Sequence, residues 1–182
     1  MFIQTEQTPN PATLKFLPGV AVMPSGTANF TTREAAVRSP LAERLFALSE
    51  VGGVFLGGDF ITVTKAGEND WFHLKPAVLA AIMEHFASGQ PVIVGMAEPE
   101  TATDAEDDEV VSQIKELLET RVRPAVAQDG GDIIFEEFAD GIVYLHMQGS
   151  CSGCPSSTAT LKAGIENMLR HYIPEVLEVR AV

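Results

Sequence analysis

The feature that most limits the fold is a stretch without hydrophobic periodicity in the middle of the chain. Residues 95–108 carry Pro99, several small residues and a run of acids. Such a composition is typical of a linker. The 182 residues therefore divide into two small domains, which we predict at residues 1–94 and 109–182 with an acidic linker at 95–108. Each half is long enough to bury a modest core of its own.

The first half shows the patterns of a mixed domain with few chemical motifs. Its predicted elements are strands at Thr13–Phe16 and Val20–Met23, a helix that begins at Ser39-Pro40 and stops at Gly52-Gly53, a hairpin turning at Gly57-Gly58-Asp59, and a helix over Trp71–Phe86. Ser39 is a good N-cap and Pro40 suits a first helical turn. We therefore expect an α+β domain.

The second half follows the order helix, strand, strand, helix, strand, an αββαβ module of α+β class. Its predicted elements are a helix from near Glu109, strands at Ile133–Phe138 and Ile142–Met147 joined at Asp140-Gly141, a helix ending near His171, and a strand over Val176–Val182. Asp-Gly between two alternating runs is a strong hairpin signal. The loop between the second strand and the second helix holds both cysteines of the chain.

The charge balance excludes two classes of partner. The chain has 12 basic and 25 acidic residues, a formal net charge of −13. A nucleic-acid binder needs a basic surface to neutralise phosphates, and an anionic membrane surface attracts basic segments. We therefore expect neither nucleic acid nor membrane as a partner.

The N-terminus and the cysteine usage suggest a reducing compartment. No apolar stretch approaches the roughly 20 residues that span a bilayer, and residues 1–11 lack the features of a secretory signal or a mitochondrial presequence. We expect a cytoplasmic protein, or a mitochondrial matrix protein if the sequence is a mature eukaryotic form. In such a compartment a Cys-x-x-Cys pair suggests metal binding or redox chemistry before a structural disulfide.

Cys151 and Cys154 lie in a glycine-rich loop directly before a helix. The spacing allows both sulfurs to grip one metal centre, and Gly149 and Gly153 allow close backbone approach to a ligand. Pro155 suits the first helical turn, whose positive end favours thiolate over thiol. We therefore predict both cysteines as metal ligands in a surface-exposed loop.

The number of thiols then sets the stoichiometry of an iron–sulfur site. A cluster held by cysteine alone takes four thiolates, and the chain has two. Two chains must therefore meet at this loop, around a two-fold axis in a homodimer. A shared centre loses half its ligands when one chain leaves, which suits a carrier rather than a permanent electron-transfer site.

Three other interpretations stay open from the residues alone. The pair can be metal-free, it can be the site of a dithiol oxidoreductase with thioredoxin-like chemistry, or it can be half of a two-chain zinc site. The motif lies after a hairpin rather than near the start of a βαβ unit, which disfavours the oxidoreductase. Spacing does not separate iron from zinc.

Longer motifs carry a family resemblance. The sequences Arg123–Asp132 and Gly149–Ser157 closely resemble the C-terminal domain of NifU, known as the Nfu domain, and Gln7–Pro11, Leu14–Gly19 and Ser39–Ala42 resemble the domain that precedes it in Nfu-type proteins. The match covers nearly the whole chain. The chain is thereby identified as a member of the Nfu family of iron–sulfur cluster proteins.

The resemblance implies a function and a ligand set. It implies a non-enzymatic scaffold or carrier that binds a [4Fe–4S] cluster, with [2Fe–2S] as a further form, receives it from upstream assembly proteins and delivers it to apo iron–sulfur client proteins. The family's ligand pair maps onto Cys151 and Cys154. His73, His85, His146 and His171 are left out of the ligand set, and Asp129 and Asp132 are interpreted as turn residues.

Overall fold

A computed structural model of the chain describes residues 1–95, 108–152 and 155–182, with the side chains of residues 155–157 excepted. The chain forms two compact units, one on either side of residues 96–107. Most of the predicted acidic linker therefore lies outside the described residues, and the domain boundaries stay a prediction. Within the described residues, no helix is long and apolar enough to cross a membrane.

The first unit is a five-stranded antiparallel sheet packed against two helices. Its elements are β1 (Gln4–Gln7), β2 (Thr13–Leu17), β3 (Ala28–Phe30), a 3₁₀ turn (Ala35–Arg38), α1 (Pro40–Phe46), β4 (Val51–Leu56), β5 (Ile61–Lys65) and α2 (Trp71–Ser88). The strand order is β1-β2-β5-β4-β3, and every pairing is antiparallel. Fully buried Phe16, Phe30, Leu41 and Ile82 lie in its core, each stabilising the fold by roughly 1.5–3 kcal/mol.

Two of the elements predicted for the first unit differ from the structure. Val20–Met23 is not a strand; instead the amides of Val22 and Met23 both donate to the carbonyl of Gly58. The helix predicted to stop at Gly52-Gly53 ends at Phe46, and the two glycines lie inside β4. Gly53 pairs with Thr64 of β5, where tertiary pairing outweighs the weak strand propensity of glycine.

The second unit has the predicted order of helix, hairpin, helix and strand. Its elements are α3 (Glu109–Leu117), a π turn (Leu118–Val122), α4 (Arg123–Gln128), β6 (Gly131–Ala139), β7 (Ile142–Gly149), α5 (Pro155–Tyr172) and β8 (Glu178–Ala181). β6 and β7 pair antiparallel, and β8 runs parallel to β7. Both units combine helices with sheets, so the predicted α+β class is confirmed.

The first helical segment of this unit runs past Pro124 and ends at Gln128. A proline ring collides with the carbonyl four residues earlier in the middle of a regular helix. Pro124 lies in the first turn of α4, directly after the π turn, where a proline is tolerated. The chain then turns sharply after Gln128 and enters β6 at Gly131. Because Gly131 pairs with Gly149, this turn and the end of β7 lie at the same end of the hairpin.

Candidate functional site

The structure describes one of the two predicted ligands, Cys151, and its place in the fold matches the prediction. Cys151 lies two residues after the end of β7, which closes with Gly149 at a φ of 66°. The side-chain hydroxyl of Thr158 on α5 donates to the carbonyl oxygen of Cys151 at 3.1 Å. Cys154 and Gly153 lie outside the described residues, so the ligand pair stays a prediction.

The side chain of Cys151 is buried rather than exposed. Only 6% of the residue is accessible, and it belongs to the apolar core of the second unit. The expectation of a surface-exposed loop is therefore wrong at Cys151. Its burial depends on residues from the other strand of the hairpin, which no local pattern indicates.

The protonation of Cys151 also differs from the sequence expectation. Burial raises the pKa of the thiol to about 11; a hydrogen bond with Ser150 opposes this shift, and the carboxylates of Asp129 and Asp132 add to it. The sequence predicts that the positive end of the helix after the loop favours the Cys151 thiolate. In this conformation burial has the largest effect on the pKa, and Cys151 is a neutral thiol near pH 7.

Gly131 makes the close approach of Cys151 possible. A Cβ atom added at Gly131 would collide with the Sγ of Cys151 and would lie 3.0 Å from the carbonyl oxygen of Gln148. A glycine is therefore required here for steric reasons, although its φ is not left-handed. The preceding Gly130, with a φ of 80°, makes the turn itself.

Ser150 ties the cysteine loop to the same turn. Its amide donates to the carbonyl of Gly130 at 3.2 Å, and its hydroxyl donates to the carbonyl of Asp129. Ser150 is 1% exposed, so these bonds are shielded from water. No local sequence pattern indicates this link between two segments about 20 residues apart.

An ion pair holds the far end of the turn. The Nε and Nη2 of Arg123 donate to the two carboxylate oxygens of Asp132 at 2.8 and 2.9 Å. Asp132, which is 2% exposed, also accepts from the amide of Ile133 at 2.8 Å. Hydrogen bonds to Asp132, and then to Glu119, raise the pKa of Arg123. Asp132 is therefore more than the predicted turn residue, and Arg123 is a site residue that sequence patterns did not single out.

The four histidines do not form a site with the cysteine. The Nδ1 of His146 lies 3.1 Å from the carbonyl oxygen of Val182, on the strand rather than in the loop. Across residues 1–95, 108–152 and 158–182, no three His, Cys, Asp or Glu side chains group closely enough to hold a metal ion. Any metal centre at Cys151 therefore needs ligands from beyond these side chains.

His85 is a buried histidine in the first unit. It lies in α2 with no exposed surface, and neither ring nitrogen has a hydrogen bond of normal geometry within the described residues. Burial, followed by the positive charge of Arg44, lowers its pKa below the ordinary value of 6.5, against a smaller opposing effect of the Gln90 backbone. His85 is therefore neutral at pH 7.

This burial predicts a pH-dependent stability of the first unit. Near and below pH 6.5 the unfolded chain binds a proton at His85 more readily than the folded chain, so the free energy of unfolding should fall as the pH falls through that value. Urea unfolding followed by the fluorescence of Trp71, the single tryptophan, measures this slope. A His85→Leu variant should lose that contribution to the slope, and the exposed-site control His73→Gln should retain it. An unchanged slope in His85→Leu would exclude His85 as its source.

Two family models match the chain. One, described as scaffold protein Nfu/NifU N terminal, covers residues 3–89, and the other, described as NifU-like domain, covers residues 114–180. The second includes the turn before β6 and the cysteine loop.

Relatives of known name match over nearly the full chain. The human protein named NFU1 iron-sulfur cluster scaffold homolog, mitochondrial, is 56% identical over all of this chain and 72% of its own length. The protein of that name from Drosophila virilis is also 56% identical, and NifU-like protein 4, mitochondrial, from Arabidopsis thaliana is 52% identical over 97% of this chain. The chain spans 62% and 64% of the length of these last two relatives.

Among solved structures, the solution structure of a NifU-like protein from Saccharomyces cerevisiae is 26% identical. It covers 53% of this chain and 87% of its own, with a TM-score of 0.48.

Proposed function

Because the chain belongs to the Nfu family of scaffold proteins, we propose that it binds a [4Fe–4S] cluster at a homodimer interface and delivers it to apo-proteins. Cys151 and Cys154 of each copy would be the ligands. The names of these relatives describe iron-sulfur cluster scaffolds, which supports a scaffold role for this chain.

The observation that carries the proposal is the number of cysteines at the end of β7. The sequence has two cysteines, both in the loop between β7 and α5, whereas a cluster bound by cysteine alone needs four thiolates. Among the described side chains, no three His, Cys, Asp or Glu groups lie close enough together to hold a metal ion. Two copies that share one cluster supply the missing pair.

Shared ligation also explains why such a protein would release its cargo. When one copy separates, the cluster loses half its ligands, so an apo-protein with free thiolates can take it over. Upstream assembly proteins would load the cluster by the same exchange in reverse. The cluster is therefore cargo, and we propose no catalytic residue.

The surroundings of Cys151 in the cluster-free chain do not suit the enzyme alternative. A nucleophilic cysteine is partly exposed and has a lowered pKa, whereas Cys151 is buried and its pKa is raised to about 11. A dithiol oxidoreductase would need the opposite environment for an attacking thiol at this position. A two-chain zinc site fits the same cysteine count and has to be separated by experiment.

The names of the relatives support one of the two predicted compartments. The human, Drosophila and Arabidopsis relatives are named as mitochondrial proteins, which supports the matrix alternative for a eukaryotic source. The cytoplasmic location in a bacterium stays a prediction. In both compartments thiols are kept reduced, as cluster binding requires.

Anaerobic reconstitution with iron and sulfide tests the proposed cargo. We expect a brown protein with broad visible absorption and about four thiolates for each cluster. Protein that stays colourless and retains zinc through purification would support the zinc site instead. Reduction of insulin disulfides by the metal-free protein would support the oxidoreductase. Either of these results, without cluster uptake, would overturn the proposal.

A further inference from the structure

The Cys151 sulfur packs over Gly131, in space that is open only because residue 131 has no side chain. Sγ lies so close to Gly131 that a Cβ atom added there would collide with it, and Cys151 belongs to the apolar core together with Ile133 and Met147. We use the term glycine seat for the space over Gly131 bounded by Cys151 and the Gln148 carbonyl. In the cluster-free chain, the sulfur is therefore directed inward.

A ligand shared between two chains needs its sulfur at the surface. The 6% exposure of Cys151 does not allow a second copy to reach the same iron atoms. We propose that the glycine seat shelters the Cys151 thiol in the cluster-free chain, and that the sulfur leaves the seat when a cluster binds. The second half of this inference rests on the proposed function, whereas the first half does not.

The neighbouring contacts make the seat a defined structure. Ser150 fixes the backbone directly before Cys151 through its two bonds to the turn, and Arg123 fixes Asp132 directly after Gly131. Thr158 holds the Cys151 carbonyl from α5. The backbone on each side of the seat is therefore anchored, so departure of the sulfur is a local change of one side chain or a short loop.

Gly131 positions the sulfur of Cys151, the proposed cluster ligand, because the glycine seat lies over it. A thiol held in the core is protected from oxidants and alkylating reagents, whose attack requires access to the sulfur. An empty scaffold between two deliveries would otherwise expose Cys151. The same seat delays loading, because the sulfur has to leave it before iron can bind.

Alkylation of cluster-free protein tests the shelter directly. In a Cys154→Ser background, Cys151 is the one remaining thiol, and its reaction with iodoacetamide can be followed by mass spectrometry. We expect the native protein to react at least about tenfold more slowly than the same protein in urea at equal pH. Equal rates in the two states would overturn the inference without any further variant.

Gly131→Ala fills the seat and should displace the sulfur. We expect Cys151 to react about tenfold faster than in the Cys154→Ser parent, because the added methyl takes the space of Sγ. Gly164→Ala on α5 is the matched control, since its added Cβ has no atom within 4 Å, and its rate should equal that of the parent. Circular dichroism checks that both variants fold. A folded Gly131→Ala protein with the parent's rate would contradict the seat.

Cluster loading tests the second half separately, with Cys154 restored. Gly131→Ala should take up iron and sulfide at a higher initial rate than Gly164→Ala. Equal uptake rates together with different alkylation rates would overturn the departure of the sulfur but leave the shelter intact. If the wild-type protein takes up no cluster at all, the proposed function fails while the alkylation result still decides the shelter.

Discussion

Replacing Cys151 by Ser is expected to leave the protein without a cluster. A serine hydroxyl is a much poorer ligand for iron than a thiolate, and each shared cluster would lose two of its four cysteine thiolate ligands. We expect bound iron and sulfide to fall at least about tenfold and the visible absorption to disappear. The measurement is iron and sulfide content per chain after anaerobic reconstitution.

A second substitution separates ligation from packing. Cys151 lies in the apolar core, so a serine there buries a hydroxyl at a cost of about 1–3 kcal/mol. Cys151→Ala keeps the site apolar and should also lose the cluster, with smaller damage to stability. If Cys151→Ser still held a full cluster, Cys151 would not be a ligand.

Replacing Asp132 by Asn should destabilise the second unit strongly. The substitution removes the charge that two nitrogens of Arg123 contact at 2.8 and 2.9 Å, and it leaves the guanidinium without its buried counter-charge. Loss of one partner of a buried pair costs about 3–5 kcal/mol; because the Arg123 side chain is 30% exposed, we expect about 2–3 kcal/mol. Hydrogen exchange of the β6 and β7 amides in the native protein measures this loss.

Glu119, the second acidic partner of Arg123, provides the control for this prediction. Arg123 contacts Glu119 at 2.6 Å, but that carboxylate is 65% exposed, so Glu119→Gln should cost less than about 1 kcal/mol. A similar loss from both substitutions would show that burial of Asp132 does not set the strength of the pair. Because Asp132 follows Gly131 directly, Asp132→Asn should also raise the alkylation rate of Cys151.

The parts of the fold that the sequence predicted correctly carry short-range signals. Ser39 caps α1 as predicted, accepting from the amide of Ala42 at 3.1 Å. Asp140 and Gly141 turn the hairpin between β6 and β7 with φ values of 53° and 78°, as an Asp-Gly turn requires. Each signal is contained within a few residues, so no tertiary information is needed.

The missed elements depend on pairing with distant strands. β1 consists of polar residues and is mostly exposed, and β3 has three residues, too few for a period of two to stand out. Gly52-Gly53 looks like a helix terminator, yet both residues lie in β4 because β5 pairs with that strand. Propensity predicts the local conformation only where such pairing does not override it.

The sequence predicts the location of the candidate site correctly, but it does not predict the burial of Cys151. The loop between a strand and a helix followed from the sequence, but burial of Cys151 follows from the pairing of Gly131 with Gly149 across the hairpin. Arg123 and Asp132 are nine positions apart and meet because α4 and β6 join at a sharp turn. Spacing along the chain does not encode either contact.

Ligation shared between two copies is tested most directly by the mass of the reconstituted protein under native conditions, because native mass spectrometry gives iron, sulfide and chain number together. Shared ligation predicts one cluster for two chains, with four iron and four sulfide ions and no added thiol ligand. A single chain that carries a complete cluster, without an external thiol, would contradict ligation shared between two copies.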